Sequence, residues 1–421
     1  MTTADTAPTT PAAASDSAAS TLAIHGGSPV CDPAVPFMKP QLQPQDVAAA
    51  HAVLESGMLR AASKCSELET RFAEASDASH ALTCANGTCA LQLAYHAIGL
   101  KPGDHVIVPA WTYVATASML VAQGVRPIFC DSLPGSYQID VEDARKRITP
   151  ETKAIACTHI YGIPVDIDAV QALAAEHSLK VVYDCAQAHL ATYNGKGIGA
   201  FGDVCTYSFY ATKNLGTGEG GIVTTNDDTL ATDIGLLRSH GETEKYLHER
   251  IGFNYRMNDI TGAIGCSRLT RLLDETNARR AAAKLYEAIV AGIEGLGQPE
   301  PTPGSEPAWH LYSVKLDLDK FSCTRDEFCD ALRAEGVPTA VHYPKCLTDQ
   351  PAFADVIEAN GRDYADRFGG GSAGAERAAH PPVSRRLASQ VFSLPMHHEL
   401  TKADTARVGE ALAKVTAAFR N

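Results

Sequence analysis

Between residues 80 and 225, short runs that are apolar at consecutive positions alternate with stretches long enough to form helices. The runs are Val106–Val108, Pro127–Cys130, Ala154–Cys157, Lys180–Tyr183, Val204–Tyr207 and Gly221–Thr224. A strand that is apolar on both faces must be covered on both faces, and a helix between successive strands lets them run parallel. The pattern therefore predicts a largely parallel sheet flanked by helices, among them Cys89–Ile98 and Ile167–Glu176. Sheets of this kind bind ligands beyond the carboxyl ends of their strands, so the segments following each run are the places to look for function.

Outside this region the signals are sparser. A helix is expected from Pro44 to Glu55, and a long one from Thr270 to Ile293 leads into a second lobe. That lobe opens with a strand, His310–Leu316, and continues with a helix, Arg325–Glu335. It ends with a helix that places Val408, Leu412, Val415 and Phe419 on one face. The chain of 421 residues is long enough for two or three domains. After Met1, residues 2–20 contain no large apolar side chain, and 1–20 read as a disordered tail. Ala359 to Pro382, rich in Gly and Ala, reads as a loose surface insertion in the second lobe.

A formal net charge of −13 repels polyanions at long range, so no nucleic-acid partner is expected. No apolar run approaches the roughly 18 residues of a membrane span. No Lys or Arg precedes Lys39, so neither a signal peptide nor a transit peptide is expected, and the chain is placed in the cytoplasm. The twelve cysteines form no CxxC, and several sit inside strand-like runs (Cys130, Cys157, Cys205). They read as buried free thiols, and no metal site is expected.

Five segments carry candidate chemistry. Gly197–Gly202 fits GxGxxG, but a strand rather than a helix is expected after it, which argues against a dinucleotide site. Asn86-Gly87-Thr88 precedes an apolar helix and is either a phosphate cradle or a simple N-cap. Tyr113 lies just past a strand, where an aromatic ring stacks on a planar ligand or packs into the core. Asp184 ends the run Val181–Tyr183, and a carboxylate leaving a buried strand needs a cation or donors, met by a protonated ring nitrogen or by a helix cap. Lys213 lies between the run Tyr207–Phe209 and the Gly-rich Gly216–Gly221. A desolvated lysine there suits Schiff-base chemistry, although loop lysines are usually just solvated. Taken together, a phosphate cradle, a ring to stack, a carboxylate for a pyridine nitrogen and an amine are what pyridoxal 5'-phosphate (PLP) requires.

These motifs, NGTCAL (86–91), VPAWTYVAT (108–116), YDCAQAH (183–189), YSFYATKNLGTGEGG (207–221), GFNYRMNDITGAIG (252–265), VHYPKCL (341–347) and SLPMHHELT (393–401), closely resemble those of the DegT/StrS family of PLP-dependent sugar aminotransferases. The resemblance implies an α/β chain of fold type I, aspartate aminotransferase-like. A large PLP-binding domain (21–290) would hold a mostly parallel seven-stranded sheet, and a small α+β domain (291–421) would follow. It implies that Lys213 forms the Schiff base with the cofactor and shuttles the proton, that Asp184 pairs with the pyridine nitrogen and that Gln187 meets the phenolic oxygen. Tyr113 would stack on the ring, while Gly87, Thr88 and Ser208 cradle the phosphate. Asn254 would reach the phosphate from a partner subunit, which implies a homodimer with shared active sites.

Lysine rather than histidine at 213 favours transamination over dehydration. The implied reaction moves an amino group from glutamate or glutamine to a keto-sugar, most of all a nucleotide-linked one. A keto-cyclitol substrate and a non-catalytic regulatory protein on the same fold are the alternatives. His342 and Tyr343 match a segment that approaches the substrate or are structural, and Arg256 binds an anionic substrate group or forms an ion pair. Leu190 and His397-His398 depart from the family pattern.

Overall fold

The computed structural model describes residues 21–39, 42–368, 375–376 and 379–421, and its centre is a seven-stranded sheet. In chain order the strands are β1 (His80–Cys84), β2 (His105–Pro109), β3 (Arg126–Cys130), β4 (Thr152–Thr158), β5 (Lys180–Asp184), β6 (Val204–Ser208) and β7 (Gly221–Thr225). They lie side by side in the order β1-β7-β6-β5-β4-β2-β3. The pairs among β2 to β6 are parallel, and β7 alone runs antiparallel to its neighbours β6 and β1.

Side chains alternate between the two faces of a strand. Ile107, Ile128, Ile155, Val181, Cys205 and Ile222 fall in one core. Val106, Val108, Phe129, Ala154, Val182, Val204 and Val223 fall in the other. The continuous apolar runs thus fill two cores at once, as a doubly covered sheet requires. The edge strand β1 escapes that pattern because only part of it is buried, so its residues form no continuous apolar run.

Since β1 to β6 run the same way apart from β7, their carboxyl ends emerge on one edge of the sheet. Asn86-Gly87 follows β1, Trp111–Tyr113 follows β2, His159–Tyr161 follows β4, Asp184 closes β5 and Lys213 follows β6. The reversed strand β7 starts at that edge, where Gly221 pairs with both Cys84 and Ser208. The Gly197–Gly202 segment serves packing instead. A Cβ on Gly197 or Gly199 would lie 2.5 or 2.6 Å from the Ser76 carbonyl oxygen, and β6 follows the segment directly.

The helix Leu272–Ala291 leads to a three-stranded sheet in which Tyr312–Leu316 pairs antiparallel with Val391–Leu394. The helices Arg325–Ala334 and Lys402–Phe419 pack on it. Tyr286, Phe328, Phe392, Val408, Leu412 and Val415 form the core of this lobe, and Leu22, Cys31 and Val35 from the start of the described chain join it. Ten of the twelve cysteines are buried and all are free thiols. Among the described residues no helix is long and apolar enough to cross a membrane.

One expectation needs correction. The stretch from Ala359 to Pro382 does not start as a loose insertion, because the helix Ala354–Phe368 runs through its first part. Val356 and Ile357 pack against the core that contains Phe129 and Phe353. One turn on, the buried Asn360 accepts from Arg126 Nε at 2.7 Å and donates to the Pro127 carbonyl at 3.0 Å. Three tertiary anchors on one helix face outweigh the poor helix propensity of the neighbouring Gly and Asn. Residues 369–374 and 377–378, like the tail 1–20, lie outside the described residues.

Candidate active site

Beyond the shared edge of the sheet lies a cavity of about 650 Å³. Gly87, Thr88, Tyr113, Asp184, Gln187, Ser208, Lys213, His342 and Tyr343, all singled out from the sequence, line it together. Asn254 and Arg256 do not. Both are exposed, and among the described residues Arg256 reaches only Ser239 Oγ and His240 Nε2, each at 3.4 Å, and forms no ion pair.

The cradle is built from helix and strand ends. Asn86 caps the helix Gly87–Ala97, its side chain accepting from Cys89 N at 2.9 Å. The N–H groups of the first turn ahead of Cys89 have no carbonyl to meet within the helix and point at the cavity end. The backbone of Gly87 comes so close to β6 that a Cβ there would sit 2.7 Å from Ser208 Cβ. Glycine is therefore needed for the approach, which brings the helix N-terminus and a serine hydroxyl to one place, a combination suited to a phosphate.

Asp184 is 5% exposed. Thr116 Oγ1 donates to one of its oxygens at 2.7 Å and Ala186 N to the other at 3.1 Å, so the carboxyl plane is fixed. Burial pushes its pKa up, against those two hydrogen bonds and the positive charge of Lys213. Among the described residues no ion pair closes on this carboxylate, which leaves it able to pair with a cation in the cavity. Gln187 is oriented at both ends: Tyr161 N donates to its Oε1 at 2.6 Å, and its Nε2 donates to Tyr343 Oη at 3.0 Å. The His342–Tyr343 segment is tied down from the large domain, its carbonyls accepting from Tyr161 Oη and, at 2.8 Å, from Trp111 Nε1. Tyr113, 56% exposed, has its ring centroid 5.9 Å from that of Tyr343.

Lys213 sits in the turn after β6, its N–H bonded to the Tyr210 carbonyl at 2.8 Å. Burial pushes its ammonium down to about 8, against the attraction of Asp184. A lysine poised there is a usable amine near neutral pH. The residue set fits PLP: a cradle that a single Cβ would fill, an amine, a buried carboxylate and an amide on the cavity wall. Gly87→Val is accordingly expected to weaken PLP binding at least about tenfold. An absorbance titration of the cofactor-free protein measures this.

Several residues that line the cavity or brace its walls were not singled out from the sequence. Thr116 holds Asp184 from a helix far away in the chain. Phe37 and Met38 come from the N-terminal arm, Phe37 stacking on His342 with centroids 6.5 Å apart. His310, expected only as the start of a strand, borders the cavity instead, and the strand begins at Tyr312. Their placement comes from long-range packing that no local spacing encodes.

The sequence model of the DegT/DnrJ/EryC1/StrS aminotransferase family matches residues 40–368. The chain is 36% identical to the dTDP-3-amino-3,4,6-trideoxy-alpha-D-glucose transaminase of Streptomyces venezuelae, over 90% of this chain and 96% of that protein. It is also 36% identical to the UDP-N-acetyl-3-dehydro-alpha-D-glucosamine 3-aminotransferase of Acidithiobacillus ferrooxidans, over 82% and 86%. Among solved structures, S. venezuelae DesV in complex with a ketimine intermediate superposes with a TM-score of 0.82 at 35% identity, covering 91% of this chain and 99% of that one.

Proposed function

Because the chain belongs to the DegT/DnrJ/EryC1/StrS aminotransferase family, we propose that it aminates a keto-sugar carried on a nucleoside diphosphate, with nitrogen from glutamate or glutamine. It is a PLP-dependent aminotransferase with the aspartate aminotransferase-like fold. The observation that supports the assignment of roles is the convergence of Lys213, Asp184 and Gln187 on the cavity that Gly87 and Ser208 close at one end. That convergence leaves the non-catalytic, regulatory reading without support.

In this reading the Gly87 and Thr88 N–H groups and the Ser208 hydroxyl hold the phosphate, Tyr113 covers the ring face, Gln187 donates to the ring oxygen, and Asp184 pairs with the ring nitrogen. When bound, PLP supplies an electron sink that acidifies the carbon bearing the transferred nitrogen. Lys213 Nζ would carry the proton between the substrate carbon and the cofactor's aldehyde carbon, in opposite directions in the two half-reactions. Near its pKa of about 8 the same amine can act both as base and, once protonated, as acid. His342 and Tyr343 belong to the wall facing the substrate, which the large domain holds through Trp111, Tyr161 and Gln187.

A second copy of this chain completes the site in the same reading. Asn254 and Arg256 are exposed, as are Tyr246 and Ile251 earlier in the same stretch of chain, at 80% and 91%. Apolar side chains left that open are suited to burial against a partner, from which Asn254 would reach the phosphate and Arg256 an anionic substrate group.

The test is spectroscopic. The protein loaded with PLP is expected to show a cofactor band that changes on adding glutamate or glutamine. The band should return when a nucleotide-linked keto-sugar follows, with the amino sugar detected by mass spectrometry. A band indifferent to every amino donor defeats the enzyme assignment. Turnover of a keto-inositol in place of every sugar nucleotide defeats the substrate class.

A further inference from the structure

His310 is used by none of these roles, yet its surroundings fix it closely. Its ring is 4% exposed and borders the cavity. Nδ1 lies 3.2 Å from Asn214 Oδ1, and the amide nitrogen of Asn214 donates to the Ala308 carbonyl at 3.1 Å. That bond fixes which way the amide is turned, with its oxygen toward the ring. An amide oxygen accepts and never donates, so the hydrogen sits on Nδ1 and Nε2 keeps a bare lone pair. Among the described residues Nε2 has no hydrogen-bond partner, and with Nδ1 turned to Asn214 it is the ring nitrogen on the cavity side.

The backbone holds the ring there. His310 N donates to the Tyr161 carbonyl at 3.0 Å, and Arg279 Nη1 donates to the His310 carbonyl at 3.4 Å. Burial, reinforced by the positive charges of Lys213 and Arg279 and by His342 and His189, drives the imidazole pKa well below its usual value. What faces the cavity is thus an uncharged acceptor. Such a group repels carboxylate and phosphate oxygens and attracts a neutral O–H. Lys213 lines the same cavity and its charge acts on this ring, so the acceptor borders the space that the lysine serves.

We propose that His310 is a further substrate-contacting residue, its Nε2 accepting a hydrogen bond from the hydroxyl on the sugar carbon next to the one that is aminated. This rests on the nucleotide-linked sugar reading given above. A site that hydrogen-bonds a substrate hydroxyl discriminates against the analogue that lacks it, because the buried acceptor is then left unpaired.

The probes are dTDP-3-amino-3,6-dideoxyglucose, which has a hydroxyl on each carbon beside the amine, and two analogues that each lack one of them, dTDP-3-amino-3,4,6-trideoxyglucose and dTDP-3-amino-2,3,6-trideoxyglucose, with Kd measured by calorimetry on the PLP-loaded protein. The wild type is expected to bind the fully hydroxylated sugar about tenfold more tightly than the analogue missing the contacted hydroxyl, a preference that falls below about twofold in His310→Phe and survives in His310→Gln, whose carbonyl can still accept. If His310 only braces Asn214, the Phe variant weakens all these sugars alike and the ratio stands, which overturns the proposal. Equal affinities in the wild type overturn it without any variant. Failure of the wild type to bind any of these sugars sinks the nucleotide-sugar reading itself, and this inference with it.

Discussion

Lys213→Ala is expected to lower amino transfer by roughly three orders of magnitude or more, with the fold intact. Among the described residues no other amine lines the cavity, so the variant lacks both a covalent anchor and a proton carrier. Borohydride treatment of the PLP-loaded wild type should leave a mass increment on the peptide carrying Lys213, and none on Lys213→Ala. Residual activity above about a tenth of wild type would remove Lys213 from the chemistry.

Stability should move the opposite way. The folded-state pKa of about 8 lies below the usual 10.5 because burial disfavours the ammonium. Between these values the unfolded chain holds a proton that the folded chain has released, so stability rises with pH through that window. Below about pH 8 the cost of burying the charge is present in full. Lys213→Met removes that cost. The cofactor-free variant is therefore expected to melt above the wild type at pH 7, with the difference shrinking toward pH 10. Calorimetry at the two values checks it, and a variant that melts lower at pH 7 would show that the ammonium is well solvated.

What could be read from the sequence follows how local each physical signal is. β2 to β7 were legible because each fills two cores with consecutive apolar residues. β1 was not visible in that way, since a half-covered edge strand needs no such run. Gly87, Asp184 and Lys213 were legible because each sits within a few residues of a strand end, where the parallel topology delivers them to one edge. Thr116, Asn214 and His310 were not, because what matters about them is a partner distant in the chain: Asp184 for Thr116, and each other for Asn214 and His310. The helix through Asn360 escaped notice for a similar reason, its anchors Arg126 and Pro127 lying more than 200 residues earlier. The aspartate aminotransferase-like fold and the family were legible from the motifs taken as an ordered set.

Asp184→Asn should separate what the carboxylate costs from what it contributes. The amide can keep the shape of the site: Ala186 N can only donate, so the amide oxygen stays on that side, and the amide nitrogen takes the position facing Thr116 Oγ1, whose hydroxyl can turn to accept. What is lost is the charge. Burial raises the carboxyl pKa in the cofactor-free protein, so the folded state holds a proton more readily than the unfolded state. Stability accordingly falls as pH rises from the unfolded-state pKa to the folded one, and above the folded pKa the cost of the buried anion is present in full. The cofactor-free Asn variant is expected to melt above the wild type. With PLP the order should reverse, because a protonated ring nitrogen opposite the carboxylate turns a destabilising charge into half of a pair, and the increment on loading follows the affinity gained. Transfer should drop by roughly a hundred- to a thousand-fold, the scale set by removing one preorganised electrostatic partner from a buried site. Melting curves with and without PLP decide the matter independently of turnover: equal PLP increments in the two proteins would mean that Asp184 does not face the ring nitrogen, whatever the activity shows.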